Sequence, residues 1–177
     1  FEPAKNFKKF YSKEIKLVNN FFNIFQCKKK IPSYKNKVDV VIAANVICHI
    51  PDLISFFRGI DFVLSKKGLF IFEEPYLLDM YKKGSFDQVY DEHIYIFSLF
   101  SISNICKIFN LELINCIHQD THGGSMRYVV ARKGEFKDAE TTDHKVICFP
   151  AAATDPKKMF HSLNRKGKSV KVQNDIS

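Results

Sequence analysis

The sequence predicts an α/β protein built on a mostly parallel β-sheet with an antiparallel edge strand. Two observations carry this prediction. Between residues 38 and 73 the chain gives a strand, a helix and a second strand, which is the order of a βαβ crossover. Further along, two strands follow each other with a glycine turn and no helix between them, so we expect them to pair antiparallel at one edge.

The crossover is predicted from apolar runs and helix-end signals. Residues 38–44 are apolar and largely β-branched, which predicts a strand buried on both faces. Pro51-Asp52 then opens a helix, because Asp can accept the free amides of a first turn and apolar residues recur every three or four positions. Lys66-Lys67-Gly68 predicts the end of this helix, and the apolar run 69–73 predicts the next buried strand.

Weaker patterns predict the other elements. They are, in chain order, a helix over 5–16, a short strand over 17–22, a helix within 23–37, a helix over 98–109, and strands over 111–114 and 126–131. The mixed aromatic and charged segment 75–95 predicts a ligand-binding loop at the carboxyl ends of the parallel strands. Periodicity fades after residue 134, so we expect one domain over 1–134 and a separate segment over 135–177.

Composition indicates a folded, soluble protein. Of 177 residues, 46% are hydrophobic and 26% are charged, which excludes a mainly disordered or low-complexity chain. No apolar run is long enough to cross a membrane, and the first residues lack a secretory signal, so we expect a cytoplasmic protein without a membrane partner. Five cysteines without a CxxC pair favour free, buried thiols over disulfides or a zinc site.

The net charge of +8 comes from 27 basic and 19 acidic residues. Such a surplus attracts nucleic acid, acidic membranes or phosphorylated molecules. The basic residues stand in separate clusters and form no single helical stripe with interleaved aromatic residues. We therefore expect a solvated surface and no nucleic-acid partner.

Titratable side chains collect in two segments expected at the ligand-binding edge. Asn45 and His49 follow the first strand of the crossover, although a histidine packed in a turn is equally compatible. Tyr90, Glu92 and His93 share one loop, and a histidine beside a carboxylate is the recurring arrangement of a general base. A solvated polar loop is the plain alternative. A metal site of His49, Glu92 and His93 is a weaker rival, since their long separation is uninformative.

Two further segments carry polar groups suited to a nucleotide or sugar. Glu2 stands where a strand would end, and in nucleoside-binding α/β folds a carboxylate there accepts both ribose hydroxyls. A surface glutamate near a terminus is the alternative. His122-Gly123-Gly124-Ser125 offers backbone amides that can approach a phosphate or sugar closely, and a tight hairpin explains the same residues.

Taken in order, these segments resemble the sugar C-methyltransferases, which methylate ring carbons of nucleotide-linked deoxysugars. The Tyr-x-Glu-His and His-Gly-Gly segments are specific to that family. The resemblance spans residues 1 to about 134 and rests on the segments 1–3, 39–52, 70–77, 86–93, 97–99 and 121–127.

The resemblance implies a Rossmann-like class I methyltransferase sheet, S-adenosyl-L-methionine as cofactor and a nucleotide-linked keto-deoxysugar as substrate. It assigns cofactor binding to Glu2, Asn45 and Phe22. By the same likeness, the turn of His122, Gly123 and Gly124 would bind substrate. No metal is implied, because a positive sulfonium needs none to transfer its methyl group.

The resemblance also assigns the catalytic residues. His93 would be the base that removes a proton next to the sugar ketone, and the resulting enolate carbon would attack the methyl group. Tyr90 and Glu92 would orient the base and substrate or stabilise the enolate. His49 would be a second acid or base on the opposite side of the sugar.

Members of that family are longer than this sequence. They carry a four-cysteine zinc module, a first core strand with a glycine-rich loop, and a C-terminal domain, whose entry resembles residues 167–170 here. We therefore expect a core truncated at both ends. Two functions stay open: a catalytic methyltransferase fragment, or a non-catalytic remnant serving as a binding module. A general small-molecule methyltransferase is less favoured, and the oligomeric state is left open.

Overall fold

The computed structural model describes residues 1–6, 15–136, 161–163 and 169–171. These ranges contain one four-stranded sheet with helices, and a separate two-stranded hairpin. The elements are α1 (Ile24–Lys30), β1 (Val38–Ala44), α2 (Leu53–Val63), β2 (Leu64–Pro75), α3 (Leu77–Lys83), α4 (Leu99–Ile108), β3 (Leu111–Gln119), β4 (Ser125–Arg132), β5 (His161–Leu163) and β6 (Ser169–Lys171). None of the helices described is long and apolar enough to cross a membrane.

The sheet confirms the predicted α/β class. Its order is β1-β2-β4-β3, with β1 and β2 parallel and β4 antiparallel to both of its neighbours. The β3–β4 hairpin lies at one edge, as expected. Within the hairpin, β4 is the strand that runs antiparallel to the others. It lies between β2 and β3, so β3 forms the edge of the sheet. Three of the four strands therefore run in one direction.

The core lies between the sheet and the helices α2 and α4. A column of stacked aromatic rings runs from strand to strand, with ring centroids 4.8 Å apart between Phe70 and Phe72 and again between Phe72 and Tyr128. Ile60 from α2 and Ile102 from α4 are fully buried in the same cluster. The burial of apolar surface in this cluster is the main stabilising contribution to the fold.

Both core helices begin at polar caps, of which Asp52 was predicted from the sequence. Asp52 accepts the amide of Ser55 at 2.9 Å at the start of α2. Ser98 and Ser101 exchange reciprocal bonds at the start of α4, as in a capping box. These caps satisfy amides that the first helical turn leaves without an internal partner.

The predicted end of α2 at Lys66-Lys67-Gly68 is wrong. The helix ends at Val63, and β2 starts at Leu64 with no loop between them. Gly68 lies inside β2, where an added Cβ would come within 2.7 Å of the main-chain oxygen of Val38. The glycine is therefore needed for close approach of β1 and not for a left-handed helix cap.

We expect Gly68→Ala to lower the free energy of unfolding by about 1–3 kcal/mol, because the methyl group would push β1 and β2 apart. Urea unfolding of both proteins measures the change. Lys67→Ala is the matched control, since that neighbouring side chain is exposed and its loss should cost less than about 0.5 kcal/mol. Equal stability of the Gly68 variant and the parent would contradict the close approach.

Three other expectations need correction. Residues 17–22 form no strand, although the Glu2 amide donates to the Val18 carbonyl at 3.0 Å. The segment 75–95 contains the helix α3, which ends at Gly84 in the left-handed conformation. β1 was expected to be buried on both faces. In the part of the chain described, it lies at an unpaired edge of the sheet, and Ile42 is 74% exposed.

Two further predictions fall partly outside the described ranges. The helix over 5–16 falls largely on residues 7–14. The division at residue 134 stays a prediction, because residues 137–160 are likewise outside those ranges. Residues 169–171 form a strand, β6.

The free-thiol prediction is confirmed for four cysteines; Cys148 lies outside the described residues. Burial raises the pKa of Cys27 to about 11 and the pKa values of Cys106 and Cys116 to about 12. The folded state therefore holds these protons after the unfolded chain has released them, so stability is full below about pH 9 and falls as pH rises towards 12.

We expect the free energy of unfolding in urea to fall steadily between pH 9 and 11, by up to about 1.4 kcal/mol per pH unit for each buried thiol, so the urea midpoint falls with it. Cys106→Ala should flatten this dependence, since it removes one of the titrating groups from the core. The exposed Lys67→Ala variant should keep the parent slope. A midpoint independent of pH in this range would contradict the burial of the thiols.

Candidate functional site

A buried carboxylate organises the loop that follows β1. Glu74, near the end of β2, is fully buried. Its Oε1 accepts the amides of Val46 and Ile47 at 3.1 and 2.7 Å, and its Oε2 accepts the amide of Cys48 at 3.3 Å. Three amide donors of a short 3₁₀ turn over Ile47–His49 thus converge on one carboxylate. This fixes His49 at the carboxyl edge of the sheet.

A second loop is fastened onto this turn by main-chain bonds. The amides of Ile94 and Tyr95 both donate to the carbonyl of Cys48, at 2.9 and 3.2 Å. The Tyr95 hydroxyl donates to the carbonyl of Pro51 at 3.0 Å. The loop that carries Tyr90, Glu92 and His93 therefore lies against the loop that carries His49.

The hydrogen bonds of His93 define which ring nitrogen can act as a base. Its Nδ1 lies 2.7 Å from the carbonyl oxygen of Gln88, and a carbonyl only accepts, so Nδ1 carries the proton. Its Nε2 lies 2.8 Å from the Tyr90 hydroxyl, which donates to it when the imidazole is neutral. The neutral imidazole thus presents a lone pair at Nε2, beside a hydroxyl, which is the state a general base needs.

His49 is oriented in the same way. Its Nδ1 lies 2.7 Å from the carbonyl oxygen of Glu92, so the proton is on Nδ1, and no bond to Nε2 is found among the residues described. The His49 and His93 rings are neighbours, with centroids 4.9 Å apart. This separation leaves no room for a sugar between them, so the expectation that His49 acts from the opposite side of the sugar is wrong. The two imidazoles face a substrate from the same side.

In the described structure, the groups bonded to the His93 ring do not include the Glu92 side chain. Both ring nitrogens of His93 are bonded to other groups, and the Glu92 carboxylate is exposed. It is the main-chain oxygen of Glu92 that touches an imidazole, that of His49. The residue therefore orients the site through its backbone.

A metal site can be tested at this same cluster. The ligand atoms of Cys48, His49 and His93 lie within 4.8 Å of one another. However, burial and the neighbouring Glu74 carboxylate raise the pKa of the Cys48 thiol well above its usual range, whereas a metal requires the thiolate. The His93 Nε2 is already bonded to Tyr90. The donor set suits hydrogen bonding better than metal coordination.

The glycine turn lies against α3 and not against the two histidines. The Tyr76 amide donates to the Gly124 carbonyl at 3.1 Å, and Lys83 Nζ donates to the Gly123 carbonyl at 2.6 Å. A Cβ at Gly124, where φ is +128°, would collide with the Asp79 side chain. Gly123 is open, with only Ser85 Oγ near its added Cβ, at 3.9 Å. The turn is rigid and leaves its backbone accessible at Gly123.

A charged cluster next to this turn completes the sheet edge. The Glu73 carboxylate binds Arg127 Nη2 at 2.8 Å and accepts the Thr121 hydroxyl at 2.9 Å. The Glu73 carbonyl accepts the Asn45 amide at 2.8 Å. Adjacent strand residues point to opposite faces, so Glu73 serves the glycine turn while Glu74 serves the histidine loop.

Comparison with known families identifies the chain's class. Residues 3–115 match the family model described as a methyltransferase domain, which is more than half of the chain. The chain belongs to this methyltransferase family. This membership agrees with the α/β sheet described above, and it confirms the prediction of a methyltransferase class that uses S-adenosylmethionine as its cofactor.

One curated relative is the C-methyltransferase NovU of Streptomyces niveus. It is 34% identical over 90 residues, which cover 49% of this chain and 21% of NovU. The chain therefore matches about a fifth of the length of that relative.

Two solved structures are similar at 15% identity. Magnesium protoporphyrin IX methyltransferase (ChlM) from Synechocystis PCC 6803, with bound SAH, has a TM-score of 0.41 and covers 54% of this chain and 45% of its own. The PH0226 protein from Pyrococcus horikoshii OT3 has a TM-score of 0.39 and covers 59% of this chain and 56% of its own.

The residues assigned to the cofactor fit such a group in chemistry. Asn45 has a left-handed backbone with φ +51°, and its Oδ1 is buried without a hydrogen-bond partner in the part of the chain described. A buried acceptor without a partner is costly unless a ligand donor supplies one, and an ammonium group would do so. One Glu2 oxygen accepts the Ala4 amide at 2.8 Å, which leaves the other for a hydroxyl.

Phe22 forms part of an apolar cavity that continues towards Asn45. Its ring packs edge-on against Phe1 and Phe56, at 5.0 and 5.3 Å between centroids. The cavity has a volume of about 330 Å³ and is also lined by Ala43 and Val46, which flank the end of β1. Small-molecule sites begin near this size, and apolar walls are typical of them.

Two functional residues were missed by the sequence analysis: Glu74 and the Gln88 backbone. A charged residue directly after an apolar strand reads as the start of a loop, so the burial of Glu74 gave no local signal. The acceptor for His93 is a main-chain oxygen, which any residue at position 88 would supply. Two adjacent acidic residues at the end of a strand, Glu73-Glu74, are the sequence feature that could have drawn attention to this position.

Proposed function

We propose that this chain carries the catalytic core of an S-adenosylmethionine-dependent C-methyltransferase that acts on a nucleotide-linked keto-deoxysugar in the cytoplasm. The observation that carries the proposal is the state of His93. Its Nδ1 proton is bonded to the Gln88 carbonyl, and its Nε2 lone pair faces the Tyr90 hydroxyl. Methylation at a carbon next to a ketone requires a base that removes a proton and makes the carbon nucleophilic.

The reaction begins at the carbon next to the ketone. The Tyr90 hydroxyl turns from His93 Nε2 towards the ketone oxygen, which frees the Nε2 lone pair. His93 Nε2 then takes a proton from that carbon, and the electron pair of the broken C–H bond forms an enolate. Tyr90 then donates its hydroxyl hydrogen bond to the enolate oxygen in place of the imidazole, which has become protonated. When bound, S-adenosylmethionine would supply the methyl group from its positively charged sulfonium. The enolate carbon would form the new carbon–carbon bond as the sulfur–methyl bond breaks, which leaves a neutral thioether. His49 Nε2 lies beside His93 and receives or returns the proton.

Other residues hold the two reactants. Asn45 Oδ1 accepts a hydrogen bond from the ammonium group of the cofactor, and Glu2 accepts one from a ribose hydroxyl. Phe22 provides an apolar wall for the adenine ring. The main-chain oxygen of Glu92 keeps the His49 ring in place. The turn of His122, Gly123 and Gly124 offers its backbone to the sugar, with Gly123 open to close approach.

The substrate class is supported by two observations. NovU is named a C-methyltransferase, which agrees with a site built around a base. The Tyr-x-Glu-His and His-Gly-Gly segments resemble those of the sugar C-methyltransferases, and the sugar itself rests on that resemblance.

Calorimetric titration of the 177-residue chain with S-adenosylhomocysteine tests the cofactor part of the proposal. We expect micromolar binding, weakened about tenfold or more by Asn45→Ala, because a charged hydrogen bond is lost. Asn110→Ala is the matched control, since Asn110 is also left-handed, with φ +54°, and lies between α4 and β3. A chain that is folded by circular dichroism but binds no S-adenosylhomocysteine would contradict the proposal and favour a non-catalytic binding module.

A further inference from the structure

A basic cleft lies at the opposite end of the sheet from the histidines. It has a volume of about 700 Å³ and is open to solvent. Among residues 1–6 and 15–136, five cationic side chains line it, together with one carboxylate, that of Asp61. The cations come from five separate stretches of sequence: Lys28 from α1, Lys35 from the loop before β1, Arg58 from α2, Lys66 from β2 and Arg132 from β4.

Two of the cations, Arg132 and Lys66, form ion pairs. Arg132 donates to the Asp61 carboxylate and to the Asp61 carbonyl, both at 2.6 Å, and to the Leu64 carbonyl at 2.8 Å. Its side chain is only 20% exposed. Lys66 forms a long ion pair with Glu135, at 3.7 Å. The Arg132 network joins α2 to the start of β2 and forms a rigid wall.

The other three cations are not neutralised. Lys28, Lys35 and Arg58 have no acidic partner within residues 1–6 and 15–136 and are exposed. Like charges brought into one cleft repel each other, and the repulsion is relieved when an anion binds between them. Ile24 and Phe62 add apolar surface to the same cleft.

The chemistry of the cleft favours phosphate groups. Arg58 offers a planar fork of donors that matches a phosphate, and the lysines add point charges from two sides. The volume falls within the range of small-molecule sites and the cations surround a concave surface, so the shape differs from the extended stripe that tracks a nucleic-acid backbone.

We propose that this cleft binds a small molecule bearing two or more linked phosphate groups, either inorganic polyphosphate or the diphosphate of a nucleotide. The cleft lies at the amino end of β2, up to roughly 35 Å along the strand from Pro75, at about 3.3 Å per residue. Binding there is therefore separate from the proposed methyl transfer and does not depend on it.

Calorimetric titration of the full chain with inorganic pyrophosphate tests the proposal, with orthophosphate and uridine diphosphate as the other probes. We expect pyrophosphate to bind at least tenfold more tightly than orthophosphate. The triple variant Lys28→Gln, Lys35→Gln, Arg58→Gln should weaken pyrophosphate binding at least tenfold. Tighter binding of uridine diphosphate in the same cleft identifies a nucleotide as the ligand, and equal binding identifies the free polyphosphate.

The matched control removes the same charge elsewhere. Lys29, Lys30 and Lys67 are exposed and do not line the cleft, so their triple replacement by glutamine should leave pyrophosphate binding unchanged. Arg58→Gln alone, in a side chain with no hydrogen bond among the residues described, is a second variant with little risk to folding and should weaken binding severalfold.

Three results would overturn the proposal. The first is no pyrophosphate binding to the folded chain. The second is an equal loss in the two triple variants, which would show an effect of net charge. The third is a single-stranded oligonucleotide that competes at lower concentration than pyrophosphate. Unchanged S-adenosylhomocysteine binding in the cleft variants keeps this test independent of the proposed methyltransferase activity.

Discussion

Replacing His93 by alanine is expected to lower the rate of methyl transfer by about 10²–10⁴, the usual contribution of a positioned general base. The loss follows from the removal of the Nε2 atom that faces the Tyr90 hydroxyl. S-adenosylhomocysteine should bind as before, because no residue assigned to the cofactor touches His93. Initial rates with a nucleotide-linked keto sugar measure the first effect, and calorimetry measures the second.

Proton exchange of the substrate needs no cofactor, so it tests proton removal by His93 separately from methyl transfer. In D₂O, the parent chain should exchange the proton on the carbon next to the ketone, and His93→Ala should slow this exchange by a similar factor. Tyr90→Phe removes the hydroxyl and keeps the ring, so we expect a smaller loss. His118→Ala is the matched control, because His118 is paired with Asp79 at 2.6 Å and lies away from the histidine pair. Undiminished exchange in His93→Ala would exclude His93 as the base.

Glu74→Ala is expected to lower the free energy of unfolding by about 3 kcal/mol or more. The change leaves the amides of Val46, Ile47 and Cys48 without their buried acceptor, and each unsatisfied buried donor costs about 1–3 kcal/mol. Urea unfolding measures the loss. The same change should loosen the turn that carries His49, so a fall in activity should accompany it.

Glu74→Gln separates the charge from the shape. The amide side chain keeps one carbonyl acceptor and places an NH₂ group where the second oxygen stood, so about half of the loss is expected. Glu112→Ala is the control, because its carboxylate also accepts a backbone amide, that of Gly134 at 2.8 Å, but at an exposed position. It should cost less than about 1 kcal/mol. A loss of the same size at Glu112 would show that burial is not the cause.

The helices and strands with strong periodicity could be predicted from the sequence. β1 has the bounds predicted for it, and α2 begins at its predicted cap, because an apolar period and a capping side chain are local signals. The end of α2 could not be predicted. Lys-Lys-Gly is typical of a helix end, and only the neighbouring Val38 carbonyl shows why a glycine is needed inside a strand.

The proximity of the two histidines could be predicted from the sequence, and their hydrogen bonds could not. His49 and His93 stand in loops at the expected edge, and the structure brings their rings together. Their partners could not be predicted, because the Gln88 and Glu92 acceptors belong to the main chain and have no sequence signature. Similarly, the clusters of lysine and arginine look scattered along the chain, and only the fold gathers five of them in one cleft.

The two glutamates at the end of β2 set a limit on how this strand can change in evolution. Glu73 and Glu74 point to opposite faces, one to the glycine turn and one to the histidine loop. An insertion or deletion of one residue upstream in β2 would exchange the two faces and misplace both carboxylates at once. Substitutions elsewhere in β2 change one contact at a time. The length of this strand is therefore constrained more tightly than its composition.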